Sequence, residues 1–253
     1  MAARPAAIRL NTHVWNPVGE RRALLLHGLA SDGTSWWRLA STLAEQGWLV
    51  LAPDLRSHGA SPPAINHSIA AMAADVALLG DGWDLLVGHS LGGAVAAWLL
   101  AEADAARNAV LVDPVLRLDP DQHRAVWAAH HDEVGDLDAD AVAAANPAWH
   151  PRDVARKVLA ARRVTPDVID AVFADNDPWD VTAAATHWQA RVHLLAADSA
   201  RGGLLAPSLA QRLASGTVSA QTVSGCGHSI HRERPDVLTE AIARTLGAEE
   251  GRP

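Results

Sequence analysis

Five residues, Gly88-His89-Ser90-Leu91-Gly92, have the types and spacing that activate a serine. A hydroxyl attacks a carbonyl only when it stands clear of its neighbours and a base removes its proton. The G-x-S-x-G spacing meets the first need where a strand turns directly into a helix. The corner residue is forced into strained backbone geometry, and the flanking glycines let the chains pass. Trp83, Leu85, Leu86 and Val87 suggest a short buried strand before it, and residues 94–100 (AVAAWLL) suggest a helix after it. Ser90 then stands at the strand's end, near the free N–H groups of a helix N-terminus that can hold a developing oxyanion.

Histidine is the side chain suited to take that proton near neutral pH. Of thirteen histidines, His228 is the best placed, in the glycine-rich loop Ser224-Gly225-Cys226-Gly227 between the last strand and the last helix. His231 is the competitor, but it lies toward the helix and lacks the glycine flank.

The elements that must position these residues alternate. Residues 8–15 alternate apolar and polar side chains and run into the turn Asn16-Pro17-Val18-Gly19, which predicts an opening antiparallel hairpin. Buried strands are expected at 23–26, 48–52, 83–87, 110–112, 192–196 and 217–223, with helices at 35–46, 68–79, 94–100, 207–214 and 234–246. Strands alternating with helices imply an α/β fold, a mostly parallel sheet with helices on both faces. From 115 to 189 the rhythm changes to helix-like runs without a convincing strand. The expected organisation is therefore a core domain of residues 1–114 and 190–253 with a helical cap, 115–189, inserted over the sheet's carboxyl edge.

Composition narrows the function classes. Lys plus Arg is 21 and Asp plus Glu is 29, a net charge of -8 with no basic run, which argues against nucleic acid or an anionic membrane as partner. Cys226 stands alone, so neither an intramolecular disulfide nor a cysteine-based metal site is expected, and no cofactor is implied. No apolar run reaches signal-peptide or membrane-span length. A cytoplasmic protein acting on a small molecule is expected, with a homodimer left open.

Four segments occur in an order that resembles the α/β-hydrolase fold family across nearly the whole chain: LLLHGLASDGTSWW (24–37), PDLRSHGAS (53–61), VGHSLGG (87–93) and GCGHSIHRERP (225–235). The resemblance implies Ser90 as nucleophile, His228 as base, an oxyanion hole from the backbone N–H groups of Leu29 and Leu91, and a cap role for the helical insertion. His27-Gly28 then shapes the oxyanion turn without a proton-transfer role, and Asp54, Arg56 and His58 brace the sheet edge.

The acid departs from the family's common pattern. Aligning on residues 205–210 puts its usual aspartate position at Gly202. Two substitutes remain: Asp113, ending the strand after Ser90 and lying 23 residues beyond it, and Asp198, on the later loop. Both keep the order serine, acid, histidine. The strand-end position favours Asp113.

Ten tryptophans bear on the substrate. Trp36 and Trp37 follow the oxyanion turn, while Trp127, Trp149, Trp179 and Trp188 fall in the insertion. A pocket lined by Trp36, Trp37, Trp149 and Trp179 favours an apolar or aromatic group, although tryptophans at helical spacing commonly pack the core. The acidic balance makes an anionic substrate less expected, and Arg152, Arg162 and Arg163 read as a solvated face rather than a carboxylate site. The leading reading is a cofactor-free serine hydrolase of a small ester or lactone. A C–C bond hydrolase, thioesterase, amidase or perhydrolase would use the same residues, and a slow-turnover, receptor-like binding protein is the alternative of another class.

Overall fold

The computed structural model describes residues 6–101, 105–135 and 137–247. Among them, seven strands form one sheet: β1 (Thr12–Trp15), β2 (Arg21–Leu26), β3 (Trp48–Pro53), β4 (Leu85–His89), β5 (Asn108–Val112), β6 (Arg191–Ala197) and β7 (Val218–Val223). Their order is β1-β3-β2-β4-β5-β6-β7. Only β1 runs antiparallel to its neighbour.

The opening hairpin does not form. The turn is present, with the Gly19 N–H donating to the Asn16 carbonyl at 3.0 Å, but β1 pairs with β3, placing Thr12 opposite Pro53. Both edges of β2 are already taken, by β3 and β4, so β1 has no place beside it.

Successive strand side chains point to opposite faces, and both faces here are covered. Leu24, Leu26, Leu86, Ala109, Leu111, Val192 and Leu194 join one core. Ala23, Leu25, Leu85, Val87, Val110, Val112 and Leu195 join the other. The first core takes the apolar faces of α2 (Ile69–Ala77), α3 (Ser90–Leu99) and α8 (Pro207–Leu213). The second takes those of α1 (Trp37–Glu45) and α10 (Pro235–Gly247), with Ile230 of the short α9 (Ile230–Glu233).

Between β5 and β6 lie α4 (Pro120–Glu133), α5 (Ala139–Ala145), α6 (Pro151–Ala161) and α7 (Pro166–Ala174). Proline at the first turn starts α4, α6 and α7 where its missing N–H costs nothing, and Asp119, Asp138 and His150 cap α4, α5 and α6. Side-chain hydrogen bonds tie this segment to the rest of the fold, among them two groups. Asp153 of α6 accepts from the Trp37 indole at 2.8 Å and from Arg38 at 3.2 Å. Asp175 and Asn176, after α7, accept the backbone N–H groups of His67 and Ile69 at the start of α2. No helix among the described residues is long and apolar enough to cross a membrane.

The loop after β3 is braced from within. Arg56, 2 % exposed, pairs in bidentate fashion with the buried Asp75 of α2 through two bonds of 2.7 Å, and donates to the Asn66 and Ala71 carbonyls. Removing one partner of such a pair strands a buried charge. Arg56→Met is therefore expected to cost about 3–5 kcal/mol in urea unfolding; a loss below about 1 kcal/mol would show that the pair is not a brace.

Candidate functional site

Ser90 is the first residue of α3, directly after β4. Its φ of 53° is left-handed, a region that non-glycine residues rarely occupy. The neighbouring glycines are there because the turn is crowded. A Cβ on Gly88 would lie 2.5 Å from the Gly92 carbonyl oxygen, and one on Gly92 would lie 2.4 Å from the carbonyl oxygens of Leu26 and His27. A Cβ on Gly28 would meet the His89 ring at 2.8 Å, so this glycine lets the loop after β2 close onto Ser90. That loop and Ser90 follow the carboxyl ends of β2 and β4, adjacent strands from which the chain departs in opposite directions. Such a reversal opens a crevice in an open α/β sheet.

Asp113 and His228 meet beside it. Asp113, which follows β5 and is fully buried, has a φ of 40°. Its Oδ2 lies 2.6 Å from His228 Nδ1. The rest of the carboxylate accepts backbone N–H groups: Ala197 at 3.0 Å, Leu204 at 2.8 Å and Leu205 at 3.1 Å. A carboxylate saturated in this way has a single orientation. With Nδ1–H donated to Asp113, the Nε2 of His228 carries the free lone pair. His228 and Ser90 line the same cavity.

Asp198, the other possible acid, is elsewhere. It accepts the N–H groups of Ala200 at 2.9 Å and Gly225 at 2.8 Å, and its own N–H donates to the Cys226 carbonyl at 2.9 Å. It shapes the loop that carries His228 without reaching the ring. Cys226 in that loop is buried, and burial pushes its thiol up to about 12, so it holds no thiolate at neutral pH.

The N–H groups of Leu29 and Leu91 have no hydrogen-bond acceptor among the described residues. Leu29 lines the cavity, and Leu91 follows Ser90 in the first turn of α3. His27 accepts the Leu55 N–H at Nε2 (2.9 Å), so its Nδ1–H is the donor to the Gly28 carbonyl (2.8 Å). Both ring nitrogens are used in holding the turn, and burial lowers its pKa.

The cavity, about 340 Å³, is more polar than the tryptophan count suggested. Of the four tryptophans expected in it, only Trp149 lines it. Trp36 is buried under the sheet against His231, ring centroids 4.8 Å apart. Trp37 is tied to Asp153 and stacked by Arg152, and Trp179 donates to the Val115 carbonyl at 2.7 Å inside the core. Helical spacing identifies a packed face without saying what faces it. The facing wall instead carries His130 and Glu133 of α4 and Lys157 of α6, with Arg232 of α9 beside them. Lys157 pairs with Glu133 at 2.8 Å and reaches the Ala30 carbonyl at 3.3 Å. Arg232 had no sequence signal beyond lying four residues after His228.

The sequence and the fold match known relatives. The model of the alpha/beta hydrolase family matches residues 23–241, and the chain belongs to that family. It is similar to lipase LipV of Mycobacterium tuberculosis, 41% identical over 124 residues, which are 47% of this chain and 47% of the lipase. The chain thus spans about half the length of that relative, and less of others it matches. Among solved structures it resembles E-2-(acetamidomethylene)succinate hydrolase, with a TM-score of 0.81 at 17% identity, covering 94% of this chain and 95% of that one. It also resembles the enol-lactonase from Burkholderia xenovorans, with a TM-score of 0.75 at 19% identity, covering 94% and 96%. At such identities these two share the fold.

The histidines around Ser90 have a consequence for acid stability. Burial is the main cause that lowers the pKa of His27, of His58 (to about 3), and of His89 and His231 (well below the usual value). The unfolded chain binds these protons near pH 6.5 and the folded chain only at lower pH, so stability falls as pH drops below about 6.5. Each such histidine adds up to about 1.4 kcal/mol per pH unit to the slope. Urea unfolding at pH 5.5 is expected to show uptake of at least about two protons; a stability unchanged between pH 7 and 5 would contradict the neutral assignment.

Proposed function

We propose that this protein is a serine hydrolase that cleaves a small carboxylic ester or lactone through an acyl-enzyme on Ser90. The observation that carries the reading is the 2.6 Å contact between the buried Asp113 and His228, whose ring lines the same cavity as the left-handed Ser90. His228 Nε2 takes the Ser90 proton as Oγ attacks the carbonyl carbon, and Asp113 holds the ring and balances its charge. The N–H groups of Leu29 and Leu91, both without another acceptor among the described residues, hold the oxyanion. The imidazolium then gives its proton to the leaving oxygen. Water repeats the sequence on the acyl-enzyme, with His228 again the base. Residues 115–189 act as the cap that walls the site. Support for ester or lactone chemistry comes from the lipase relative and the lactonase of the same fold.

A fluorophosphonate probe is expected to label Ser90 in the folded protein, and Ser90→Ala to lower kcat by about 10⁴–10⁶-fold. An unlabelled Ser90 would overturn the assignment. Asp113→Asn is expected to cost about 10³–10⁴-fold in kcat, whereas Asp198→Asn, which keeps one of the two acceptor oxygens and does not touch the imidazole, should stay within a few-fold of the parent. The reverse ranking would move the acid to Asp198.

A further inference from the structure

Arg232 is 5 % exposed and forms part of the wall of the Ser90 cavity. Among the described residues its guanidinium has no side-chain hydrogen bond and no ion pair, and its Nε is a buried donor without an acceptor. Buried charges are ordinarily paired, and an unpaired one is costly unless a ligand completes it. Burial lowers its pKa to about 10, which still leaves the guanidinium charged at neutral pH.

Asp153, Glu133 and Asp32 attract the guanidinium through space, but their hydrogen bonds are made elsewhere. Glu133 pairs with Lys157, Asp153 holds Trp37 and Arg38, and Asp32 accepts from Thr34. His130 donates its Nδ1–H to the Val126 carbonyl at 2.9 Å. Lys157 and Glu133 pair with each other, and Arg232 is left without a hydrogen-bonded carboxylate among the described residues. Its orientation is set by Trp149, whose ring lies 4.5 Å from the guanidinium carbon. Trp149 lines the same cavity, and its indole N–H is buried and without an acceptor among the described residues.

We propose that Arg232 and Trp149 form a carboxylate-binding subsite, so that the substrate of Ser90 is a short ester or lactone that also carries a free carboxylate. The planar guanidinium matches two carboxylate oxygens, and the indole N–H adds a neutral donor. A cavity of about 340 Å³ with both Ser90 and Arg232 in its wall holds a small molecule that spans the two. The net charge of -8 gives no hint of such a subsite, because it does not say how charge is placed around one cavity. The proposal rests on Ser90 acting as the nucleophile.

The test compares monomethyl glutarate with methyl pentanoate, matched in length and differing at the far end in a carboxylate against a methyl group, by acid release in a pH-stat. The parent protein is expected to favour the glutarate in kcat/KM by about 10–100-fold, the range for a charge-assisted hydrogen bond. Arg232→Met should bring the ratio to about one, Arg232→Lys to an intermediate value, and Trp149→Phe should lower it by about 3–10-fold. A parent ratio of one or less overturns the proposal. So does an Arg232→Met variant that slows both esters equally, as a purely structural arginine would. Calorimetric binding of glutarate to Ser90→Ala reads the subsite without turnover and should be lost on adding Arg232→Met. If Ser90 is not the nucleophile, the Ser90→Ala protein still hydrolyses esters while glutarate binding still requires Arg232. If the subsite is wrong, turnover depends on Ser90 but shows no carboxylate preference.

Discussion

The left-handed backbone at Ser90 is the constraint on which the rest of the structure depends. A non-glycine residue held at a φ of 53° costs on the order of 1–3 kcal/mol and persists only where its surroundings leave it no alternative. Here the surroundings come from three parts of the chain. Gly88 and Gly92 face each other across the turn, Gly92 packs on the end of β2, and a Cβ on Gly93 would lie 2.6 Å from Pro114 Cβ, just beyond β5. The Val115 N–H donates to the Ser90 carbonyl at 3.2 Å. The corner is thus clamped between the exits of β2 and β5, and its strain is opposed by packing against a core buried on both sides.

The same clamp brings the proposed acid to its place. Asp113 also sits in the left-handed region, one strand over, and its carboxylate is fixed by three backbone N–H groups from β6 and the loop after it. That loop and the one carrying His228 are joined through Asp198. Position is therefore transmitted from β5 through β6 to the imidazole by hydrogen bonds between neighbouring strand ends. The cavity above is closed by a wall with a Lys157–Glu133 pair and Arg232.

Much of this was legible in the residues. The alternating apolar runs show the parallel sheet, because strands covered on both faces need both sets of side chains apolar. Ser90 is visible because its glycine spacing reports local crowding, and the His228 loop because Gly225 supplies a left-handed turn with a φ of 71°. Three features were not. The place of β1 depends on which sheet edge is free, a property of β2, β3 and β4 together. Asp113 and Asp198 both follow strand ends, and only the third dimension shows which carboxylate meets the imidazole. Arg232 lies in HSIHRER, which reads as an ordinary polar helix start; its burial comes from helices more than 70 residues away in the chain. The tryptophans mislead for a related reason, since most of them serve the core and the ties between α1 and α6.

The central claim is that Ser90 carries the acyl group between two half-reactions. Rapid acid quench during the first turnover of a p-nitrophenyl ester, followed by peptide mass analysis, tests it directly. The account predicts that the peptide containing Ser90 gains the mass of the acyl group, and that Ser90→Ala gains none. An acylated residue elsewhere, or full turnover with no acylated peptide at any quench time, would contradict it.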